Sequence, residues 1–191
     1  RYPLKARVTV TPQSAYLLNR ALREVILSGT ASRLNRDFPP RLELAGKTGT
    51  TGGYRDSWFA GYAGNYLAVV WIGRDDNRPI GLSGASGALT VWAALMKQLT
   101  LTPVRLYRPQ DVLEVKLDRT SLMLADEHCP DTLQLPFIAG SEPVSAAPCS
   151  RAVFPTRDAS DNGIVEWWRA IWLGVDQSST HNPEKIKDNR P

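Results

Sequence analysis

Three strand-forming runs, residues 42–51, 57–64 and 66–73, are separated only by Gly52-Gly53-Tyr54-Arg55-Asp56 and Gly64-Asn65. Connections this short cannot hold a crossover, so neighbouring runs must pair antiparallel as a meander. The third run, Tyr66-Leu-Ala-Val-Val-Trp-Ile72, is almost wholly apolar, which predicts cover on both of its faces. Helical signals flank the meander. Thr11-Pro12 supplies an N-cap and a first-turn proline, Ala15, Leu18, Leu22 and Val25 recur at helical spacing, and Gly29 marks the stop. Residues 30–35 add one further turn before Phe38-Pro39-Pro40 ends it. Residues 86–99 form the second helix, with Leu89, Trp92 or Ala93, and Met96 as its inner stripe. This order predicts an α+β fold, an antiparallel sheet with packed helices.

Beyond Pro103 the pattern weakens. Residues 112–117 alternate as a short strand, 119–125 offer a second, and 129–158 read mostly as loop. Residues 163–174 form a short apolar helix with Trp167, Trp168 and Trp172, which docks on the domain, lies at a membrane interface or meets a partner. Residues 175–191 have almost no large apolar side chains and are expected to be disordered. Charge divides the chain in the same place. Residues 1–47 carry 9 basic and 3 acidic side chains, whereas 110–191 carry 8 and 13. We therefore expect a core over 1–109 and an irregular extension over 110–191. The arginines are spread along helix-like segments and the aromatics fall in strand patterns, so a nucleic-acid partner does not fit. No run of about 18 apolar residues suggests a membrane span. The opening Arg1-Tyr-Pro-Leu-Lys reads as an internal cut rather than a signal segment.

Cys129 and Cys149 are the only cysteines. They are either two unrelated thiols or one disulfide closing a Pro-, Ser- and Ala-rich loop. The loop has little else to hold it, which favours the disulfide and an oxidising compartment. His128 and His181 lie far apart with no ligand cluster, so neither a metal nor a base role is assigned.

The chemistry concentrates in Ala45-Gly-Lys-Thr-Gly-Thr-Thr51 and the following Asp56-Ser-Trp-Phe-Ala-Gly-Tyr62. On an extended strand Thr48 and Thr50 share one face, and Lys47 and Gly49 the other. Two hydroxyls about 7 Å apart on one edge can bracket a carboxylate. Gly46 and Gly49 weaken a strand interior, a poor choice unless something must approach closely. The bland alternative is a solvated lysine among threonines selected for β-propensity. Trp58 and Phe59 read as core or cleft wall, and Tyr54 and Arg55 as surface loop beside the site.

This string resembles the third motif of the penicillin-binding protein and serine β-lactamase superfamily, whose set is Ser-x-x-Lys, Ser-x-Asn and Lys-Thr-Gly. The longer pattern through Tyr62 looks most like the transpeptidase domain of class A, bifunctional penicillin-binding proteins, and the cysteine pair and aromatic helix look more like the type 1b branch. The resemblance implies that Thr48 and Thr50 hold a substrate carboxylate. It further implies that the Thr50 N–H forms half of an oxyanion hole, that Gly49 leaves room for the acyl group, and that Lys47 assists proton transfer through the Ser-x-Asn serine. It also implies peptidoglycan stem peptides and β-lactams as ligands, cell-wall synthesis partners, no cofactor, and an upstream glycosyltransferase domain and membrane anchor at the periplasmic face of the inner membrane. No Ser-x-x-Lys occurs in the chain, and Ser160-Asp161-Asn162 follows Lys47 rather than preceding it, so we read that triplet as helix-start chemistry. The chain thus reads as the C-terminal part of such an enzyme, with the nucleophile and the rest of the transpeptidase domain elsewhere. A serine β-lactamase and a binding module without a nucleophile are the rivals.

Overall fold

The computed structural model describes residues 8–152. The tryptophan-rich segment, the Ser160-Asp161-Asn162 triplet, His181 and residues 175–191, expected to be disordered, lie outside the described residues.

Helix α1 (Pro12–Leu27) begins as its sequence dictates. Thr11 Oγ1 accepts from the Ser14 N–H at 3.2 Å and Pro12 occupies the first turn, where its missing donor is no loss. At the other end, the Ser28 and Gly29 N–H groups both donate to the Glu24 carbonyl. Gly29 is required there by proximity: a Cβ would lie 2.9 Å from the Val25 Cα. The buried stripe is Tyr16, Leu17, Ala21, Val25 and Ile26, one helical step round from the expected Ala15, Leu18 and Leu22. Leu18 is exposed. The shift has a physical reason. α1 packs against two separate sheets, and both partners together choose its inner face.

Helix α2 (Leu34–Asp37) and a 3₁₀ turn (Pro40–Leu42) lead into β1 (Ala45–Thr50), which pairs antiparallel with β2 (Ser57–Tyr62), itself paired antiparallel with β3 (Leu67–Ile72). Leu42, expected in the first strand, instead closes the 3₁₀ turn. Helix α3 (Ala88–Met96) covers one face of this sheet and buries Leu89, Trp92, Ala93 and Met96. Trp92 packs edge-on against Phe59 and Phe38, with ring centroids 5.1 and 6.1 Å away. Its indole N–H is shared between the Gly61 and Ala68 carbonyls, each at 3.2 Å. A Cβ on Gly61 would sit 2.6 Å from the Phe59 ring and 3.0 Å from Trp92. The opposite face departs from expectation. Leu67, Val69 and Trp71 of β3 and Trp58 of β2 are exposed there, so among the described residues β3 is covered on one face only.

The acidic extension is more ordered than its sequence suggests. The strand expected over 112–117 is present as β4 (Val112–Asp118), and it pairs antiparallel with β5 (Thr132–Ile138), which lies in the 129–158 stretch expected to be mostly loop. Pro136 obscures β5 in the sequence. In the structure it faces Glu114, three residues, an odd number, from the pair joined by the Ala139 N–H to Asp111 carbonyl bond. The alternation of antiparallel bonds therefore turns the proline nitrogen to the outer edge, where no ladder bond is lost. Residues 119–125 form no strand; Leu124 alone makes bridges, to Leu117 and Ala146. The hairpin docks on α1. Ala21 packs with Leu117, Leu122, Leu133, Leu135 and Phe137, while Tyr16 and Leu17 pack with Val112. Gln13 donates to Asp111 at 2.7 Å, and Arg20 lies 3.9 Å from Glu114.

Cys129 and Cys149 are bonded, with Cα atoms 5.1 Å apart. Beside them, Asp126 accepts from the N–H groups of His128, Arg151 and Ala152. Desolvation pushes its pKa upward, but those donors together outweigh it and hold the carboxyl well below the usual range. Replacing both cysteines with serine should loosen this region by about 3 kcal/mol of loop-closure entropy. The expected result is faster amide exchange across 118–150, with protection in β1–β3 unchanged.

Candidate functional site

Residues 47–50 occupy an edge strand. β1 has β2 on one side and no strand on the other among the described residues. The hydrogen-bonding phase follows from two flanking bonds. The Thr51 N–H donates to the Asp56 carbonyl, and the Ala63 N–H to the Tyr66 carbonyl. Stepping inward by twos, Ala45, Lys47 and Gly49 turn their backbone groups toward β2. Gly46, Thr48 and Thr50 therefore turn theirs outward. The Thr50 N–H is thus an outward-facing donor on the unpaired edge.

The side chains divide as the alternation requires. Thr48 and Thr50 stand opposite Phe59 and Ser57, on the face that α3 covers, while Lys47 and Gly49 stand opposite Ala60 and Trp58 on the other. Lys47 curls back so that its Nζ donates to the Thr48 carbonyl at 2.9 Å. This places an ammonium group at the open edge. Lys47 is solvent-accessible, yet the protein packed around its ammonium lowers its pKa from the ordinary lysine value by desolvation.

Each threonine hydroxyl has a partner. Thr50 Oγ1 accepts from the Gly84 N–H at 2.9 Å, and Thr48 Oγ1 lies 2.7 Å from Thr30 Oγ1. The loop that supplies Gly84 is built into the sheet. Buried Ser57 donates to the Ser83 carbonyl at 2.7 Å and accepts from the Ala88 N–H at 2.8 Å, capping α3 from outside the helix. A Cβ on Gly84 would approach the Gly49 and Trp58 carbonyl oxygens to 2.6 Å, so only glycine brings this loop down onto the strand. Arg33 ties the same loop to the α1–α2 turn through Thr90 Oγ1 at 3.0 Å and the Ala85 carbonyl at 3.5 Å.

Sequence reading singled out Lys47, Thr48, Gly49 and Thr50 and missed Thr30, Ser57 and Gly84. A signal for Gly84 was present in Ser83-Gly-Ala-Ser-Gly87, a run of small residues before a helix. Nothing local marks Thr30, which meets the strand only in the folded chain. Phe59 is core, whereas Trp58 lies on the exposed face, tilted against Trp71 at 6.0 Å. Tyr54 is exposed and Arg55 donates to the Asn77 carbonyl, holding the turn to the next loop. No group of three His, Cys, Asp or Glu residues able to hold a metal occurs among the described residues.

An edge strand with an outward N–H, two anchored hydroxyls and a cation can receive an anionic, extended ligand. The comparisons point to the same class of protein, since fold and strand resemble those of penicillin-binding proteins. No protein-family model matches the chain. More particularly, the chain resembles the class A penicillin-binding proteins. It is 40% identical to penicillin-binding protein 1B of Escherichia coli over 114 residues, 60% of this chain and 13% of that one. It is 43% identical to penicillin-binding protein 1B of Vibrio cholerae over 103 residues, 54% and 13% of the two chains. With penicillin-binding protein 1A of Escherichia coli the identity is 32% over 161 residues, 70% and 18%. The crystal structure of penicillin-binding protein 1A from Haemophilus influenzae superposes with a TM-score of 0.64 at 28% identity, covering 72% of this chain and 22% of that one. The chain therefore spans only a small part of the length of these relatives.

The desolvated lysine gives a test of the site's electrostatics. With its pKa lowered, more of Lys47 is the free amine at any pH below 10.5 than an ordinary lysine would be. Its rate of modification by an acetylating reagent, followed peptide by peptide, should rise with pH with a midpoint below the ordinary lysine value of 10.5.

Proposed function

We propose that this chain contributes the Lys-Thr-Gly strand and its supports to a peptidoglycan D,D-transpeptidase of the class A penicillin-binding type. In this reading the nucleophilic serine and the Ser-x-Asn motif lie outside the 191 residues. The observation that most supports it is the paired geometry at Thr50: the N–H faces the open edge, and the hydroxyl accepts from Gly84. Because that hydroxyl accepts a backbone donor, its own proton remains available to a ligand.

The roles proposed are those the family resemblance implies for these residues. A stem peptide lies along β1, its terminal carboxylate accepting hydrogen bonds from the Thr48 and Thr50 hydroxyls. The serine attacks the penultimate carbonyl, and the developing oxyanion is met by the Thr50 N–H and the serine's own N–H. The carbonyl–nitrogen bond then breaks, D-alanine leaves with a proton, and a neighbouring stem-peptide amine takes the acyl group. Lys47 holds positive charge beside this path and biases proton transfer toward the leaving amine. A β-lactam enters by the same acylation. Exposed Trp58, Leu67, Val69 and Trp71 form the face that the remainder of the transpeptidase domain would cover. The larger protein would also hold the glycosyltransferase activity and a membrane anchor, and would work at the periplasmic face of the inner membrane with other cell-wall synthesis proteins. A second reading, a ligand-binding module without a nucleophile, is compatible with the same strand.

Two experiments decide between them. The purified 191-residue chain should take up no fluorescent penicillin covalently, whereas the full-length protein that contains it should. In that full-length protein, Lys47→Ala should slow acylation by about 10²-fold or more, as loss of a preorganised charge-stabilising group does. An acylation rate within a few-fold of the unmodified protein would make β1 an ordinary surface strand.

A further inference from the structure

Resting on the carboxylate-binding reading of Thr48 and Thr50, we propose that Thr30 is a positioning residue that fixes the direction of the Thr48 hydroxyl. The two threonines are held differently. At Thr50 the partner is a backbone N–H, which can only donate, so the Thr50 hydroxyl proton is permanently left for a ligand. At Thr48 the partner is another hydroxyl, 2.7 Å away, and either oxygen can be the donor. If Thr48 donates to Thr30, its proton is spent within the protein. If Thr30 donates, Thr48 presents its proton to the open edge.

An ionised carboxylate is acceptor-only, so its arrival selects the second arrangement. The result is a directed chain, Thr30 O–H to Thr48 O–H to carboxylate, in which each bond polarises the next. Thr30 is placed for this by backbone contacts independent of the strand. The turn begins at Gly29, which folds against Val25, and continues through the Ala31 N–H to Val25 carbonyl bond at 3.0 Å. Three residues on, Arg33 fastens the same turn to Thr90 and to the Ala85 carbonyl, next to the Gly84 that serves Thr50. The supports of both hydroxyls are thereby joined through one arginine.

The test is made in the full-length protein carrying this segment, with Thr30→Val, Thr30→Ala and Thr30→Ser, using a penicillin with a free carboxylate and its methyl ester. Thr30→Val and Thr30→Ala should weaken the pre-acylation binding of the free acid about tenfold, the loss expected for one strengthened hydrogen bond. The first-order acylation step should change little, and reaction with the ester should stay within about twofold, since the ester oxygens, although also acceptors only, carry no charge to strengthen the chain of bonds. Thr30→Ser should restore binding of the acid. In a Thr48→Val background, Thr30→Val should have no further effect, because the two act in series. Equal losses for acid and ester, or unchanged binding of the acid in both Thr30→Val and Thr30→Ala, would overturn the proposal. A silent Thr48→Val is a separate outcome: it removes the carboxylate-binding reading itself, and the role of Thr30 with it. Thermal unfolding of each variant separates loss of the hydroxyl from loss of the fold, and the serine variant reads the hydroxyl even if valine disturbs the turn.

Discussion

The seat of Trp92 on the sheet is the contact on which the rest depends. A buried indole must satisfy its N–H, and here one donor reaches the Gly61 carbonyl of β2 and the Ala68 carbonyl of β3 together. The helix is thereby keyed to two adjacent strands at a single point. Gly61 must lack a side chain for the ring to arrive, and Phe59 and Phe38 then close around its edges. With α3 fixed, its N-terminus falls over Ser57, and that hydroxyl draws residues 83–88 onto the strand. The donor at Gly84 is a downstream result of how one tryptophan packs.

α1 serves two masters. Its C-terminal half, with Val25 and Ile26, belongs to the core beneath the sheet, while Tyr16, Leu17 and Ala21 face the β4–β5 hairpin. Asn19 adds a polar pin between them, accepting from the Tyr62 hydroxyl and donating to the Ala15 carbonyl at 2.7 Å. The hairpin thus packs on the helix whose following turn holds Thr30, while among the described residues the extension makes no hydrogen bond to residues 47–50.

Much of this was legible in the sequence because the signals were local. Thr11-Pro12 started a helix, short glycine-bearing turns forced the meander, and Leu89, Trp92 and Met96 marked the inner face of α3. The Lys-Thr-Gly-Thr string singled out the strand that became the open edge. What escaped was decided by partners distant in sequence. Leu18 and Leu22 fit a helical stripe as well as Leu17 and Ala21 do, and only the arrival of two sheets chooses between them. β5 was hidden by Pro136, which is harmless solely because of the side on which its nitrogen falls. The partners of the site hydroxyls, Thr30 and Gly84, lie 18 and 34 residues from the threonines they hold, and no periodicity connects them.

Pro136 has a wider effect than the loss of one donor. An exposed strand edge is a template on which any extended chain can add itself. Along β5 the outer edge is interrupted at its middle by a position that has no hydrogen to give, and the edge of β4 is overlaid at its end by the Leu124 bridge. Along Ala45–Thr50 there is no proline. Among the described residues, one sheet is thus guarded against stray strands while the β1 edge of the other carries no such block.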